Sequence, residues 1–220
     1  METTSILHNA NETTKLIVIR HGFSEANMSH KFAGHLDFPL TDIGILQAEK
    51  CAAALKNEKI DAMYASDLKR AFCTAVPVAE AHGLPVIAHK GLREIYAGAW
   101  EGNTFHDLEE TYSQSYGVWK KDIGNAHPDG GESVAALYDR AIAAFREIAE
   151  QNKGKTVCIA THATPIRALC TAAAGLGAQA MREIPWTANA SISLFAYENG
   201  KFRAIYTSKD GHLGDLKTTA

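Results

Sequence analysis

The chain has 220 residues, 46% of them apolar, and a formal net charge of −3. This length suits one domain with room for an inserted subdomain, and the slightly acidic balance argues against a nucleic acid or an anionic membrane as partner. Any anion-binding site must therefore come from a local cluster of basic residues.

The two ends of the chain are polar. Residues 1–14 lack the basic start and apolar run of a signal peptide, and no apolar stretch is as long as a membrane span. We therefore expect a disordered leader over 1–14, one domain over 15–209, a polar tail that frays over 210–220, no membrane partner and a cytoplasmic location. The four cysteines show no C-x-x-C pairing and are interpreted as reduced core residues, three in helices and one in a strand.

In the first half of the chain, strand-like and helix-like segments alternate. The predicted elements are, in order, a strand at 16–20, a helix at 41–56, a short strand at 61–65, a helix at 67–82 and an extended segment at 85–89. The first helix is capped by Thr41 or Asp42, and its buried positions are expected to include Leu46, Ala53 and Leu55.

The second half continues this alternation after an interruption. It predicts a long amphipathic helix at 131–151, a strand at 155–160, a helix from about 162 to 174, and alternating strands at 191–197 and 201–207. Asn199-Gly200 is a strong hairpin signal, so the last two segments should be antiparallel edge strands. The whole pattern predicts an α/β fold, with a mostly parallel sheet flanked by helices on both faces and an antiparallel edge hairpin near the C-terminus.

Residues 95–130 interrupt the alternation and have helical character only near 104–116. The segment is rich in aromatic side chains, namely Tyr96, Trp100, Phe105, Tyr112, Tyr116 and Trp119. We interpret it as an inserted lid or pocket wall, with packing of individual rings on the core as the alternative.

Polar side chains follow the predicted strands at their carboxyl ends, where open α/β sheets bind ligands. Arg20 and His21 follow the first strand, residues 66–70 follow the second, and Thr161-His162-Ala163 complete the strand at 155–160. Leu92-Arg93-Glu94 come after the segment at 85–89 and add a carboxylate. Two histidines and two arginines are therefore expected to meet at one edge of the sheet.

This set of residues is suited to phosphoryl transfer. His21 can attack phosphorus through a ring nitrogen, while Arg20, Arg70 and His162 can neutralise the equatorial oxygens of the transferring group. Glu94 can protonate the leaving oxygen and later take a proton from the attacking water. The arginines supply the positive charge and the histidines lack metal-ligand spacing, so neither a metal site nor a cofactor is expected.

Residues 20–27, Arg-His-Gly-Phe-Ser-Glu-Ala-Asn, resemble the R-H-G-x-[ST]-x-x-N signature of the histidine phosphatase superfamily, the phosphoglycerate-mutase-like proteins. Six further segments resemble family motifs in the same order along the chain: 32–44, 66–75, 92–102, 130–133, 162–169 and 189–192. The resemblance covers residues 16 to about 207.

The resemblance implies roles that agree with the chemistry: His21 as phosphorylated nucleophile, Glu94 as acid and base, and His162 in the phosphate pocket with Arg20 and Arg70. It extends the phosphate- and substrate-binding set to Ser24, Asn27, Gly34 and Ala163, with Asn27 as a neutral donor and Ala163 acting through its backbone N–H. The family usually has Ser-His-Gly where this chain has Thr161-His162-Ala163. The extra methyl narrows the pocket, which weakens inference about the substrate but not about catalysis.

The inserted segment bears on which reaction occurs. Mutases of this family hold a second anionic group with basic residues of this segment, typically an arginine pair, whereas residues 95–130 here contain no arginine and only Lys120 and Lys121 against six acidic residues. We therefore favour a metal-independent phosphomonoesterase acting on a small phosphorylated metabolite through a phosphohistidine. The alternatives are a phosphoglycerate mutase and, third, a non-catalytic phospho-ligand-binding module. The sequence leaves the natural substrate and the oligomeric state open.

Overall fold

The apolar run at 16–19 lies at the centre of a six-stranded sheet, in strand β1 (Thr14–Arg20). The structure is a computed structural model that describes residues 13–218. The other strands are β2 (Ala62–Ala65), β3 (Val86–Ala88), β4 (Thr156–Thr161), β5 (Ile192–Glu198) and β6 (Lys201–Lys209), in the order β3-β2-β4-β1-β5-β6 across the sheet. Strands β3, β2, β4 and β1 run parallel, whereas β5 is antiparallel to both β1 and β6.

Helices cover both faces of this sheet. They are α1 (Glu25–Met28), α2 (Asp42–Leu55), α3 (Lys69–Ala81), α4 (Phe105–Thr111), α5 (Ser113–Lys121), α6 (Val134–Gln151) and α7 (Ala163–Ala173). Because side chains alternate along a strand, Leu16 and Val18 pack with α6 and α7 on one face, while Ile17 and Ile19 pack with α2 and α3 on the other. The predicted fold class is confirmed, and the parallel order brings the carboxyl ends of β1, β2 and β4 to one edge.

The start of α3 differs from the prediction, because the helix begins at Lys69 and not at Asp67. The Asp67 carboxylate accepts two hydrogen bonds from Arg93, each 2.6 Å long, and the N–H of Lys69 donates to Asp37 Oδ1 at 2.6 Å. These contacts hold Asp67 outside the helix. Similarly, α6 begins at Val134 after its N-cap Ser133, three residues later than predicted.

The buried face of α2 also differs from the prediction. Leu46 is 46% exposed and Ala53 is exposed, whereas Leu55 is buried as expected. The helix turns a small-residue face inward because Gly44 lies against the loop after β1, where a Cβ would come 2.1 Å from the carbonyl oxygen of Phe23. The buried positions are therefore Gly44, Gln47, Ala48, Cys51 and Leu55.

The C-terminal hairpin turns at Asn199 and Gly200, both with positive φ. Strand β5 lies between β1 and β6, so of the two hairpin strands β6 alone is at an edge of the sheet, which corrects the expectation that both are edge strands. The expectation of a frayed tail does not hold for Gly211–Leu216, a 3₁₀ segment whose Leu213 is buried. Most of the predicted leader, residues 1–12, lies outside the described residues, and Thr14 already belongs to β1.

The inserted segment packs many of its rings on the core. Trp100 and Tyr116 are buried, and the rings of Trp100 and Trp119 make edge contacts with Phe32 at centroid distances of 5.5 and 5.1 Å. The aromatic side chains of the segment that are exposed or half-buried are those of Tyr96, Phe105, Tyr112 and Trp119.

All four cysteines are free, as expected, but Cys73 is exposed on α3 and is therefore not a core residue. Burial raises the pKa of the Cys51 thiol to about 12, which keeps it protonated. Among the helices of residues 13–218, none has the length and apolar character needed to span a membrane.

Candidate active site

His21 lies just beyond the carboxyl end of β1 and is 5% exposed. Its Nδ1 lies 2.8 Å from the carbonyl oxygen of Gly22. Because a carbonyl only accepts, Nδ1 must carry the proton, and the lone pair of the neutral ring is left on Nε2. Burial, followed by the charges of Arg70 and Arg20, holds the pKa of His21 well below its usual range. His21 is therefore a neutral imidazole with an available nitrogen, the form a nucleophile needs.

The loop after His21 is fixed by α2 and α3. The N–H of Gly22 donates to Thr74 Oγ1 at 3.0 Å, and the N–H of Phe23 donates to Gln47 Oε1 at 2.7 Å. A Cβ on Gly22 would come 2.5 Å from the carbonyl oxygen of Gly44. The close approach that requires glycine here is thus a contact between two backbone segments of the protein.

Arg20 and Arg70 bring two buried positive charges to the same place. Arg70 donates from Nη1 to the carbonyl of Leu36 and from Nη2 to that of Gly34, both at 2.8 Å, and Arg20 donates from Nη1 to the carbonyl of Thr187. Burial lowers the pKa of each arginine to about 10, which leaves both charged at neutral pH. Within residues 13–218, the buried Nε of each has no hydrogen-bond partner. Both guanidinium groups therefore retain donors for an anion.

His162 follows β4 and faces His21, with ring centroids 5.1 Å apart. Its Nε2 pairs with the hydroxyl of Ser66 at 2.8 Å, and its buried Nδ1 has no partner in the described chain. Burial and the charge of Arg70 hold the pKa of His162 well below its usual range. Ala163 is the first residue of α7 and is 6% exposed, so its N–H belongs to the helix terminus beside this ring.

Glu94 lies between the 3₁₀ turn after β3 and the start of α7. Its Oε1 accepts from the N–H of Ile95 at 2.8 Å, and its Oε2 accepts from the N–H of Thr164 at 3.4 Å. Its charge raises the pKa of both Arg20 and Arg70 against the effect of burial. The structure thus brings the predicted acid into the electrostatic range of both arginines.

The backbone of Glu94 is held from two sides. Arg140 of α6 donates to the carbonyls of Gly91, Arg93 and Glu94 at 2.9, 3.0 and 3.3 Å, and it forms an ion pair with Glu132. His35 pairs with the same Glu94 carbonyl at 2.9 Å. Arg140 and His35 therefore both hold the loop that carries the predicted acid.

Ser24 and Asn27 are near the site but are occupied by each other. Ser24 caps α1, and its hydroxyl donates to Asn27 Oδ1 at 2.9 Å. Asn27 Oδ1 also accepts from Asn189 Nδ2 at 3.2 Å, so the Nδ2 group is what Asn27 has left to donate. Gly34, with φ +49°, takes part through its carbonyl, which accepts from Arg70. In this structure, Ser24 and Gly34 therefore position the loop and Arg70.

Sequence reasoning missed three residues that organise the site. Asn189 donates to the carbonyl of His21 at 3.1 Å, Thr187 accepts from Arg20, and Arg140 clamps the loop of Glu94. Asn189 lies in a segment that matched a family motif, whereas nothing in the local pattern marks the other two. Among the described residues, no three His, Cys, Asp or Glu side chains are grouped so as to hold a metal ion.

Comparison with known proteins gives concordant matches over most of the chain. A family model described as the histidine phosphatase superfamily (branch 1) matches residues 16–209. Phosphoserine phosphatase 1 of Hydrogenobacter thermophilus is 32% identical over 206 residues, which cover 94% of this chain and 97% of that protein. Phosphoglycerate mutase-like protein 4 of Arabidopsis thaliana is 34% identical over 189 residues, which cover 84% and 80%.

Solved structures with the same fold include two that cover nearly the whole domain. Bacillus stearothermophilus YhfR superposes with a TM-score of 0.86 at 26% identity, over 91% of this chain and 99% of that one. Mycobacterial glucosyl-3-phosphoglycerate phosphatase Rv2419c superposes with a TM-score of 0.82 at 26% identity, over 90% and 100%.

Proposed function

Because the chain belongs to the histidine phosphatase superfamily and is a phosphatase, we propose that it hydrolyses small phosphate monoesters through a phosphohistidine formed on His21. The observation that carries this proposal is the neutral His21, whose Nδ1–H is engaged by the Gly22 carbonyl while its Nε2 is available beside two buried arginines. The four free cysteines fit a reducing compartment, and we place the activity in the cytoplasm.

In the first step, His21 Nε2 attacks phosphorus and the bond from phosphorus to the leaving oxygen breaks. The proton of Glu94 passes to that oxygen, so that an alcohol leaves and Glu94 becomes a carboxylate. Arg20, Arg70 and the Nδ1 side of His162 donate to the three equatorial oxygens, where negative charge is spread in the transition state.

In the second step, water attacks the phosphorus of the phosphohistidine. Glu94 takes a proton from this water, the phosphorus–nitrogen bond breaks, and His21 regains its lone pair on Nε2. Inorganic phosphate then leaves and the enzyme returns to its initial protonation state. The fixed tautomer of His21 serves both steps, because Nδ1–H stays bound to the Gly22 carbonyl throughout.

A covalent trapping experiment tests this route. Brief reaction with a ³²P-labelled substrate followed by an alkaline quench should leave label on a peptide that contains His21, stable in alkali and lost in acid. His21→Ala should show neither label nor turnover. If this variant retains more than about a hundredth of wild-type activity, the covalent mechanism is wrong.

We propose that no metal takes part, because Arg20 and Arg70 supply the charge that a metal would supply. Activity should persist in excess EDTA, and vanadate should inhibit by imitating five-coordinate phosphorus. A VO3 complex is known for the solved mycobacterial glucosyl-3-phosphoglycerate phosphatase Rv2419c. Loss of activity in EDTA that zinc or magnesium restores would contradict this part of the proposal.

A phosphoglycerate mutase is the second candidate, because a mutase-like protein is among the relatives. The inserted segment has two lysines, and Lys120 forms an ion pair with Glu109 at 2.6 Å. Lys121 is the other basic residue that the segment offers to a second anionic group. We therefore expect little 2-phosphoglycerate from 3-phosphoglycerate supplied with catalytic 2,3-bisphosphoglycerate. Isomerisation faster than phosphate release would make the mutase the better proposal.

A further inference from the structure

Gln47 of α2 is a buried amide that joins two distant parts of the chain. It is 0% exposed, and both ends of its amide are engaged. Its Oε1 accepts from the N–H of Phe23 at 2.7 Å, and its Nε2 donates to the carbonyl of Leu216 at 2.8 Å. Because an N–H only donates and a carbonyl only accepts, the amide cannot be reversed without losing both hydrogen bonds. Gln47 therefore links the C-terminal segment, residues 210–218, to the loop after β1.

The peptide group that Gln47 holds is the one that fixes the tautomer of His21. The carbonyl of Gly22 and the N–H of Phe23 belong to one planar trans unit, so they point in opposite directions. The carbonyl lies 2.8 Å from His21 Nδ1, while the N–H donates to Gln47. A rotation of this unit that breaks one hydrogen bond also disturbs the other. Gln47 therefore supports the contact that keeps the proton on Nδ1 and the lone pair on Nε2.

A second contact from the C-terminal segment reaches the residues on the other side of this unit. His212 Nε2 lies 3.1 Å from the carbonyl of Ala190, which only accepts, so this nitrogen carries a proton. The N–H of Ala190 donates in turn to the carbonyls of Arg20 and His21, at 3.1 and 3.2 Å. Ala190 has a φ of +53°, which residues with a Cβ rarely adopt. Contacts at both its N–H and its carbonyl therefore hold this residue in place beside the nucleophile.

The C-terminal segment is itself anchored to the domain. Leu213 is 2% exposed and belongs to the apolar cluster that the sheet forms with α2 and α3. Lys217 forms an ion pair with Asp210 at 3.0 Å, which joins the two ends of the segment. Thr218 Oγ1 lies 3.3 Å from Gln47 Nε2 and is a second acceptor for it. The segment can therefore hold Gln47 from outside the phosphate pocket.

We propose that Gln47 is a positioning residue for the nucleophile and that the C-terminal segment holds Gln47 in the orientation this role needs. The inference rests on the proposed function, because it takes His21 as the group that attacks phosphorus. Gln47 acts through the peptide unit of Gly22 and Phe23 and not by contact with the substrate. Its loss should therefore slow attack on phosphorus and leave phosphate binding by the two buried arginines nearly unchanged.

The test measures, by rapid quench below the Tm of each variant, the rate at which ³²P-labelled p-nitrophenyl phosphate labels His21. Gln47→Met has a similar volume but makes neither hydrogen bond. It should lower the labelling rate by about 10–100-fold, because a displacement of about 1 Å at the reacting atoms can cause a loss of this size. The inhibition constant of inorganic phosphate should change by less than about threefold. ¹⁵N NMR of the ring nitrogens, assigned by comparison with His21→Ala, should show that His21 no longer keeps a single Nδ1–H tautomer.

Leu213→Ala tests the C-terminal segment, and Leu55→Ala is its matched control. Both variants remove a buried leucine side chain from the same apolar cluster, but Leu55 is the last residue of α2, eight residues beyond Gln47. Leu213→Ala should lower the labelling rate at least about fivefold more than Leu55→Ala does. His212→Phe leaves Leu213 in the core and should also lower the rate.

A labelling rate and a His21 tautomer like those of the wild type in Gln47→Met would overturn the positioning role. A rise in the phosphate inhibition constant large enough to account for the lost activity would overturn it too, because Gln47 would then serve binding. Equal rates in Leu213→Ala and Leu55→Ala, together with a wild-type rate in His212→Phe, would show that the C-terminal segment has no part in positioning. Absence of labelled His21 in the wild-type protein would instead overturn the proposed function.

Discussion

Replacing Arg140 with methionine should damage protonation of the leaving group more than it damages attack by His21. Arg140 lies outside the phosphate pocket, but it donates to three backbone carbonyls of the loop that carries Glu94, those of Gly91, Arg93 and Glu94. Methionine fills similar volume along the helix but has no donor. The loop of Glu94 would lose these hydrogen bonds, while the loop after His21 keeps its contacts with α2 and α3 through Gly22 and Phe23.

The size of the effect on stability follows from the contacts of Arg140. Its side chain is 27% exposed and that of Glu132 is 19% exposed, so water can replace part of what is lost. Each charge-assisted hydrogen bond contributes about 1.5–3 kcal/mol when buried. Allowing for this exposure, we expect a loss of about 3 kcal/mol of unfolding free energy, or roughly 6–12 °C in Tm for a chain of this size.

The assay that separates positioning from stability compares two substrates with different leaving groups. It is run at a temperature below the Tm of the variant. General acid catalysis contributes about 10²–10⁴-fold to expulsion of an alkoxide and much less to expulsion of a nitrophenolate. Arg140→Met should therefore lower the rate of turnover of an alkyl phosphate by a factor at least about tenfold larger than the factor by which it lowers the burst rate with p-nitrophenyl phosphate. Arg140→Lys should recover part of the difference, and Arg203→Met on the exposed face of β6 is the matched control. Equal losses on the two substrates would refute the idea that Arg140 positions Glu94.

Three other expectations follow from the site. Glu94→Gln should slow turnover of an alkyl phosphate by about 10²–10⁴-fold but should spare the p-nitrophenyl phosphate burst, and a loss of the same size in both would contradict its role as the acid. Because burial lowers the pKa of His21 and His162 in the folded protein, the unfolded chain takes up more protons as pH falls below about 6.5, so stability should drop by up to about 1.4 kcal/mol per pH unit for each histidine. Thermal unfolding between pH 7 and 5.5 should show this drop, which the double variant His21→Gln/His162→Gln should reduce; an equally steep drop in that variant would point to other groups. Gly22→Ala places a Cβ 2.5 Å from a backbone carbonyl oxygen of α2, so it should lower the free energy of unfolding by about 1–3 kcal/mol and should also lower activity. Gly117→Ala, which has open space at its Cβ, is the control and should raise Tm slightly. Unchanged Tm and activity in Gly22→Ala would show that the loop can move.

The sequence predicted the meeting of His21, His162 and Arg20 because each stands at or just after the carboxyl end of a parallel strand, and that of Arg70 because it lies in the first turn of the helix after β2. Sheet topology alone then brings them together, and the two imidazoles lie 5.1 Å apart in the structure. The catalytic and binding roles assigned to these residues stay predictions until the experiments above are made. What the topology settles is their proximity.

Features that depend on packing between distant segments could not be predicted in this way. The hydrogen bond that holds the Glu94 carbonyl comes from Arg140 on α6, 46 residues further along the chain. The helical phase of α2 depends on the contact of Gly44 with the Phe23 carbonyl, which no apolar periodicity records. Likewise, Ser24 and Asn27 match a binding motif letter by letter, yet their side chains are engaged with each other. A motif identifies which residues recur at a site, whereas only packing decides which of their atoms remain available.

In the proposed mechanism, the Glu94 carboxyl group acts as acid and then as base beside two buried cations. Arg20 and Arg70 are buried and charged, and Glu94 partly offsets both charges in the unliganded protein. A phosphate monoester dianion brings two negative charges to the same two arginines, so it replaces Glu94 as their counter-charge. In the proposed first step, the Glu94 carboxyl gives its proton to the leaving oxygen. Once the alcohol has left, the phosphoryl dianion is bound to an imidazole ring that now carries a positive charge, and in the proposed second step the Glu94 carboxylate accepts a proton from water.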